Sequence, residues 1–261
     1  MSSWVLVTGG AVRLGREISL AFAHAGWNVA CHCLESVAAA QSLCAQIKDL
    51  GRDSLVVQAQ LTDEADCRRL WNEVTQHTGQ QLHCVVNNAS LFLPDRGTDF
   101  DESHAMSQLQ ANLLAPMRLG KWMAQLHADS KSIDANVIHV LDQKVFNLNP
   151  DYFSYTLSKL ALERAVSLQA QSLAPRVRVN AVAPGLMYLS GPQSADNFAR
   201  ASRANLLRKP ISPANVAQSV LFLANNNSIT GTCIRVDNGQ HLIPMERDVM
   251  FVVDEVFKDM Q

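Results

Sequence analysis

The chain has 261 residues, 48% hydrophobic and 18% charged, with only 12 Gly and 9 Pro, a composition that excludes disordered, collagenous and low-complexity proteins. Its 22 Lys and Arg nearly balance 24 Asp and Glu, for a net charge of −2, so no overall positive field is present to hold nucleic acid or an anionic membrane. No apolar run reaches the ~18 residues of a membrane span, and the first residues lack the basic stretch of a signal peptide, which points to the cytoplasm.

Short β-rich apolar runs are read at 4–7, 28–32, 54–57, 84–86, 136–141, 178–182 and 233–236. Between the first five lie stretches of helical spacing, such as Ile18, Phe22 and His24 before Gly26, or Leu43, Ile47 and Leu50 before Gly51; each ends in a helix-stopping Gly. Strands alternating with helices imply right-handed parallel crossovers. The expected fold is therefore α/β: one Rossmann-like domain over 1–261, a doubly wound parallel sheet of about seven strands with helices on both faces. Ligands of such sheets sit outside the carboxyl ends of the strands, where the strand order reverses.

Taken in chain order, the ends of those strands carry the polar motifs. After the first comes Thr8-Gly9-Gly10-Ala11-Val12-Arg13-Leu14-Gly15, leading into a helix. Glycines let backbone N–H groups approach a pyrophosphate, and a helix N-terminus adds partial positive charge, so this is a dinucleotide loop. The second strand runs into Cys31-His32-Cys33-Leu34-Glu35-Ser36. Strand alternation turns the two thiols to one face and His32 to the other, which fits packing rather than metal ligation. The six cysteines include no CxxC pair and read as reduced thiols, and no metal is expected.

The third strand ends near Gln60-Leu61, and the fourth closes in Asn87-Asn88-Ala89-Ser90 with Phe92 two residues on. Asn112 follows on a helix. The fifth strand ends at Val140-Leu141-Asp142, and thirteen residues later comes Tyr155-Thr156-Leu157-Ser158-Lys159. On a helix the i, i+4 spacing puts the phenol and the ammonium on one face. A neighbouring ammonium would lower the tyrosine pKa and suit it to acid–base work near neutral pH. The sixth strand leads into Ala183-Pro184-Gly185-Leu186. The irregular stretch 186–210 is read as a substrate loop with a short helix, and the apolar tail 240–261 as packing on a neighbouring subunit.

Together, Thr8-Gly9, Gly15, Asn87-Asn88-Ala89, Asn112, Tyr155 with Lys159, Pro184-Gly185 and Val236-Asp237-Asn238-Gly239 resemble the short-chain dehydrogenases/reductases from about Trp4 to Gly239. Arg13 in place of the middle loop Gly, Ser90 after Asn-Asn-Ala, Phe92, and Asp142 where the family ordinarily has Ser resemble its pteridine reductase and dihydromonapterin reductase branch. The resemblance implies Tyr155, Lys159, Asp142 and Asn112 as catalytic residues, with Asn112 holding relay water. It implies a dinucleotide held by Gly9, Arg13, Leu14, Gly15, His32, Ser36, Gln60, Leu61, Asn88, Ala89, Ser90, Tyr155, Lys159, Pro184 and Gly185. It implies a pterin framed by Arg13, Ser90, Phe92, Asp142, Tyr155 and Leu186, with Phe92 stacking on it. A carboxyl at 142 suits a C=N substrate, because it can share a proton with Tyr155 and hydrogen-bond a nitrogen heterocycle. NADPH is the expected cofactor, with NADH left open: Glu35 stands where that branch has a basic residue, and His32, Ser36 and Arg13 remain as phosphate contacts. The expected reaction reduces a dihydropterin or dihydrofolate to its tetrahydro form, and a homotetramer is implied by analogy. Two other readings stay open on these residues: a 3-oxoacyl or sugar carbonyl reductase, and an NADP(H)-binding redox sensor without catalysis.

Overall fold

The computed structural model describes residues 3–129, 135–191 and 193–253. Seven strands form one parallel sheet in the order β3-β2-β1-β4-β5-β6-β7. They are β1 (Trp4–Val7), β2 (Asn28–Cys33), β3 (Ser54–Gln58), β4 (Leu82–Asn87), β5 (Ala135–Val140), β6 (Val177–Pro184) and β7 (Cys233–Val236). The helices are α1 (Arg13–His24), α2 (Val37–Asp49), α3 (Glu64–Thr78), α4 (Glu102–Leu109), α5 (Ala115–Leu126), α6 (Phe153–Leu173), α7 (Ala195–Ala201) and α8 (Pro213–Asn225). A π-helical turn, Gln110–Leu114, joins α4 to α5.

Strands β1, β5 and β6 are buried along their whole length, which is why they read as continuous apolar runs rather than alternating ones. Alternation instead assigns residues to layers. Val5 and Val7 join Cys31, Cys33, Ile18, Phe22, Ile47 and Val220 on one face. Trp4, Leu6 and Ala30 join Leu70, Leu119, Trp122 and Met123 on the other. Cys31 and Cys33 thus lie in the core, as their spacing predicts, and all six cysteines are free thiols. Among the described residues no helix is long and apolar enough to cross a membrane.

The order reverses between β1 and its neighbours β2 and β4, so the carboxyl ends of β1 and β4 flank a crevice. Among the described residues of 186–210 there is one short helix, α7. Residues 240–253 pack on their own chain, with Met245, Val249 and Val253 against Ala201 and Ala204 and Met250 against Tyr152 and Tyr155. Apolar residues at a chain end must be covered, but their pattern does not say by which molecule. Residues 254–261 lie outside the described residues.

Candidate active site

A cleft of about 480 Å³ opens at the carboxyl ends of the strands. Its floor is the loop after β1. The Thr8 hydroxyl accepts the N–H groups of Asn88 and Ala89, both at 3.0 Å, and the Asn88 amide donates to the carbonyls of Thr8 and Gly9 at 3.0 and 3.1 Å. These bonds lock the β1 loop to the β4 loop. A Cβ on Gly15 would lie 1.9 Å from the Gly9 carbonyl oxygen, so only glycine allows this turn to close. Arg13 stands at φ +50, the left-handed region that the glycine ordinarily found there adopts freely. Helix α1 begins from Val12, which has no side chain to cap it, leaving first-turn N–H groups for an anion. Val12, Arg13, Leu14 and Gly15 all line the cleft. This uncapped helix end and glycine cradle fit a dinucleotide pyrophosphate.

The end of the cleft at β2 and β3 is lined by His32, Leu34, Ala59, Gln60 and Leu61. His32 does not have the free, charged ring that a phosphate contact asks for. Its Nδ1 accepts the Gly9 N–H at 3.0 Å and its Nε2 lies 3.0 Å from the Ala59 carbonyl; burial pulls its pKa below the ordinary value. The ring is a neutral strut that fixes the glycine loop. Ser36 begins α2 without a side-chain cap and is absent from the cleft lining. Arg13 turns toward the substrate loop, donating to the Leu189 carbonyl at 3.0 Å with its guanidinium 5.0 Å from the Tyr188 ring.

The proton-handling residues meet where β5 and α6 converge. Tyr155 donates its hydroxyl hydrogen to Asp142 Oδ2 at 2.9 Å, and Asp142 Oδ1 accepts the Lys144 backbone N–H at 2.8 Å. Burial raises the Asp142 pKa. The Tyr155 pKa lies well above its ordinary value, through burial first and the neighbouring Asp142 second. This reverses the expectation that Lys159 would depress it. Lys159 Nζ lies 5.7 Å from the Tyr155 ring centroid and donates to the Val140 carbonyl at 2.8 Å, while burial lowers its pKa to about 8. At Tyr155 desolvation outweighs the ammonium.

Asn112 sits in the π-helical turn with its side chain fully engaged. Its Oδ1 accepts from the Leu91 N–H and the Ser90 hydroxyl at 2.8 and 3.1 Å; its Nδ2 donates to the Leu91 carbonyl and the Ser158 hydroxyl at 2.9 and 3.0 Å. The side chain therefore anchors the β4 loop to α6, leaving no amide group free for the relay water expected of it. Phe92 stacks on Tyr152, centroids 4.0 Å apart, and meets Tyr155 edge-on at 4.7 Å. One face of the ring expected to carry a pterin is thus already covered. Ser90, Leu186, Met187 and Tyr188 line the same half of the cleft, and Pro184 and Gly185 close its base.

Sequence reasoning missed Tyr152, Lys144 and Asp248. Lys144 is buried, 2.5 Å from Asn149 Oδ1 and 3.2 Å from Asp248 Oδ2, and both Lys144 and Asp248 line the cleft. A lysine in a polar loop reads as solvated; only its place two residues after Asp142 hinted otherwise.

A family model described as enoyl-(acyl carrier protein) reductase matches residues 10–241, and the chain belongs to the short-chain dehydrogenase/reductase family. Within that family it is 30% identical to pteridine reductase 1 of Leishmania tarentolae, over 91% of this chain and 96% of that protein. It is 29% identical, with the same coverage, to ketoacyl reductase 2 of the granaticin polyketide synthase of Streptomyces violaceoruber. Among solved structures, FolM alternative dihydrofolate reductase 1 of Brucella canis, complexed with NADP, superposes with a TM-score of 0.85 at 37% identity, covering 92% of this chain and 95% of that one.

Proposed function

We propose that this protein is an NADPH-dependent pteridine reductase, converting a dihydropterin or dihydrofolate to its tetrahydro form. The observation that carries this reading is the buried hydrogen bond from the Tyr155 hydroxyl to Asp142, a carboxyl group beside the cleft where the family ordinarily has a serine. The bound cofactor supplies hydride to carbon. Tyr155 and Asp142 deliver the proton to the ring nitrogen, within reach of a substrate resting against Phe92. Lys159 and Asn88, both on the cleft wall, hold the nicotinamide ribose side; Pro184 and Gly185 back the ring. Arg13, tied to Leu189 and Tyr188, frames the opposite end of the substrate half.

The six free thiols, five of them buried, support a reducing compartment, the cytoplasm. Leu157 and Leu168 stay exposed on α6, about three turns apart on one face, which supports a homo-oligomer and, by family analogy, a tetramer, whose mass light scattering reads.

The test is loss of nicotinamide absorbance with 7,8-dihydromonapterin, 7,8-dihydrobiopterin or 7,8-dihydrofolate, NADPH and NADH running in parallel. Turnover with at least one dihydropterin is the expected result. No turnover with any of them, while the cofactor binds, overturns the reading. The similarity to a ketoacyl reductase supports a second reading, reduction of a 3-oxoacyl thioester. A ketone needs only a hydroxyl donor beside Tyr155, so Asp142→Ser would retain that activity and lose pterin reduction.

A further inference from the structure

Lys144 and Asp248 have no role in the reaction as described above, yet they line the same cleft as its proton donors. Lys144 lies in the turn that begins at Asp142 and presents its backbone N–H to that carboxylate. Its side chain runs inward, 4% exposed, to Asn149 and Asp248. Asp248 comes from the C-terminal segment, whose attachment is built in detail. Arg247 Nε reaches both carboxylate oxygens of Asp151 at 3.0 and 2.8 Å, and the Asp248 N–H donates to Asp151 Oδ2 at 2.8 Å. Asn147 donates to the Ile243 carbonyl at 2.8 Å, and Asn197 of α7 to the Met250 carbonyl at 2.9 Å. Met250 closes over Tyr152 and Tyr155.

We propose that Lys144 and Asp248, which line the same cleft as the hydrogen-bonded Asp142–Tyr155 pair, are positioning residues for it, a matched cation and anion through which the docked C-terminal segment sets the pH at which that pair gives up its proton. The inference rests on the pteridine reductase reading for its substrate and on the 3.2 Å Lys144–Asp248 contact for its physics. The Lys144 ammonium favours ionised Asp142, whereas the Asp248 carboxylate disfavours ionised Tyr155. Left alone, the buried cation would draw the proton off Asp142. Asp248 at 3.2 Å offsets it. The other charged or titratable groups around the pair are Lys159 from α6, Tyr152 and Asp151 before it, and Arg96 and Arg247, the last two 3.5 and 2.8 Å from Asp151. None of these changes in the variants below.

The two residues act with opposite sign, which a purely structural role does not produce. Asp248→Asn keeps the shape and removes the anion; the falling alkaline limb of kcat/KM for the dihydropterin should move to lower pH by about one unit. Lys144→Gln removes the cation, and the same limb should move to higher pH. Because these shifts are read from turnover, a second measurement avoids it. The infrared band of the protonated Asp142 carboxyl, assigned by its loss in Asp142→Asn, is titrated in the protein without substrate. It should persist to higher pH in Lys144→Gln than in the native protein and vanish at lower pH in Asp248→Asn. Shifts in the same direction in both variants, or no shift in either, overturn the proposal. Infrared shifts of opposite sign in a protein that reduces no dihydropterin uphold the coupling while removing the pteridine reductase reading.

Discussion

In the proposed reaction Tyr155 carries more of the chemistry than any other residue, and its setting decides in which direction it works. A phenol in a dry site beside a carboxyl group that accepts its hydrogen at 2.9 Å keeps its proton until a better acceptor arrives. A nitrogen that gains negative charge on hydride transfer is such an acceptor. Tyr155→Phe removes only the hydroxyl and leaves the ring packed on Phe92. Turnover should therefore fall by about 10²–10⁴-fold, while the dissociation constant for NADPH, followed by nucleotide fluorescence, stays within about twofold. Retained turnover would move the donor elsewhere. The sequence points to Tyr155, Lys159 and Asp142 through their resemblance to the family's motifs, and the structure brings Tyr155 and Asp142 within hydrogen-bond distance. The direction of the tyrosine shift was not legible in the sequence, since it depends on desolvation, a property of the folded surroundings. The setting of His32 depends on the fold in the same way: the sequence places a histidine near the phosphate loop, and only the structure shows both its nitrogens engaged by backbone groups.

At the scale of elements, the alternation of strands and helices predicted the sheet to within a residue or two at most boundaries, because both layers draw on side chains of fixed periodicity. Irregular segments lack such a period, and there the sequence does not say what covers their apolar residues. The tail Met245–Val253 carries enough apolar residues to demand cover, and it finds cover on its own substrate loop. Its docking rests on Asp151, whose side chain is 5% exposed and is paired with Arg247. Removing one partner of such a pair leaves a nearly buried charge short of its counter-ion. Arg247→Gln should loosen the segment without touching the glycine loop, which lies at the other end of the cleft. The KM for a dihydropterin should rise about tenfold while NADPH affinity is unchanged, a split read by steady-state kinetics beside direct cofactor titration. Equal weakening of both would mean that the segment supports the whole domain rather than the substrate half.

Across the whole molecule, the sheet that places the catalytic groups also holds a polar row that is intolerant of acid. His139, in the middle of β5, is fully buried, its Nε2 2.8 Å from Gln169 Oε1 on α6 and its Nδ1 3.2 Å from Asn87 Nδ2 on β4. Nε2 donates to the Gln169 oxygen and Nδ1 accepts from the Asn87 amide, an arrangement that requires a neutral ring. Burial accordingly lowers its pKa from 6.5 to about 4. With the folded value below the unfolded one, the unfolded chain binds the extra proton between those two limits. Stability therefore falls as pH drops from about 6.5 to 4, by about 3 kcal/mol for this residue alone. His32, lowered in the same direction, adds to the loss, while Asp142, raised by burial, acts oppositely, losing its contribution as pH rises through its folded pKa. Urea unfolding at pH 7 and pH 4.5 should show the midpoint dropping with acid in the native protein. His139→Gln, which cannot be protonated, should be less stable at pH 7 but lose less on going to pH 4.5. An equal acid loss in that variant would place the sensitivity in the surface carboxylates instead. Because Asp142 follows His139 by three residues, just past the end of β5, melting this row would displace the proton donor, so activity at low pH should disappear together with the native fold rather than ahead of it.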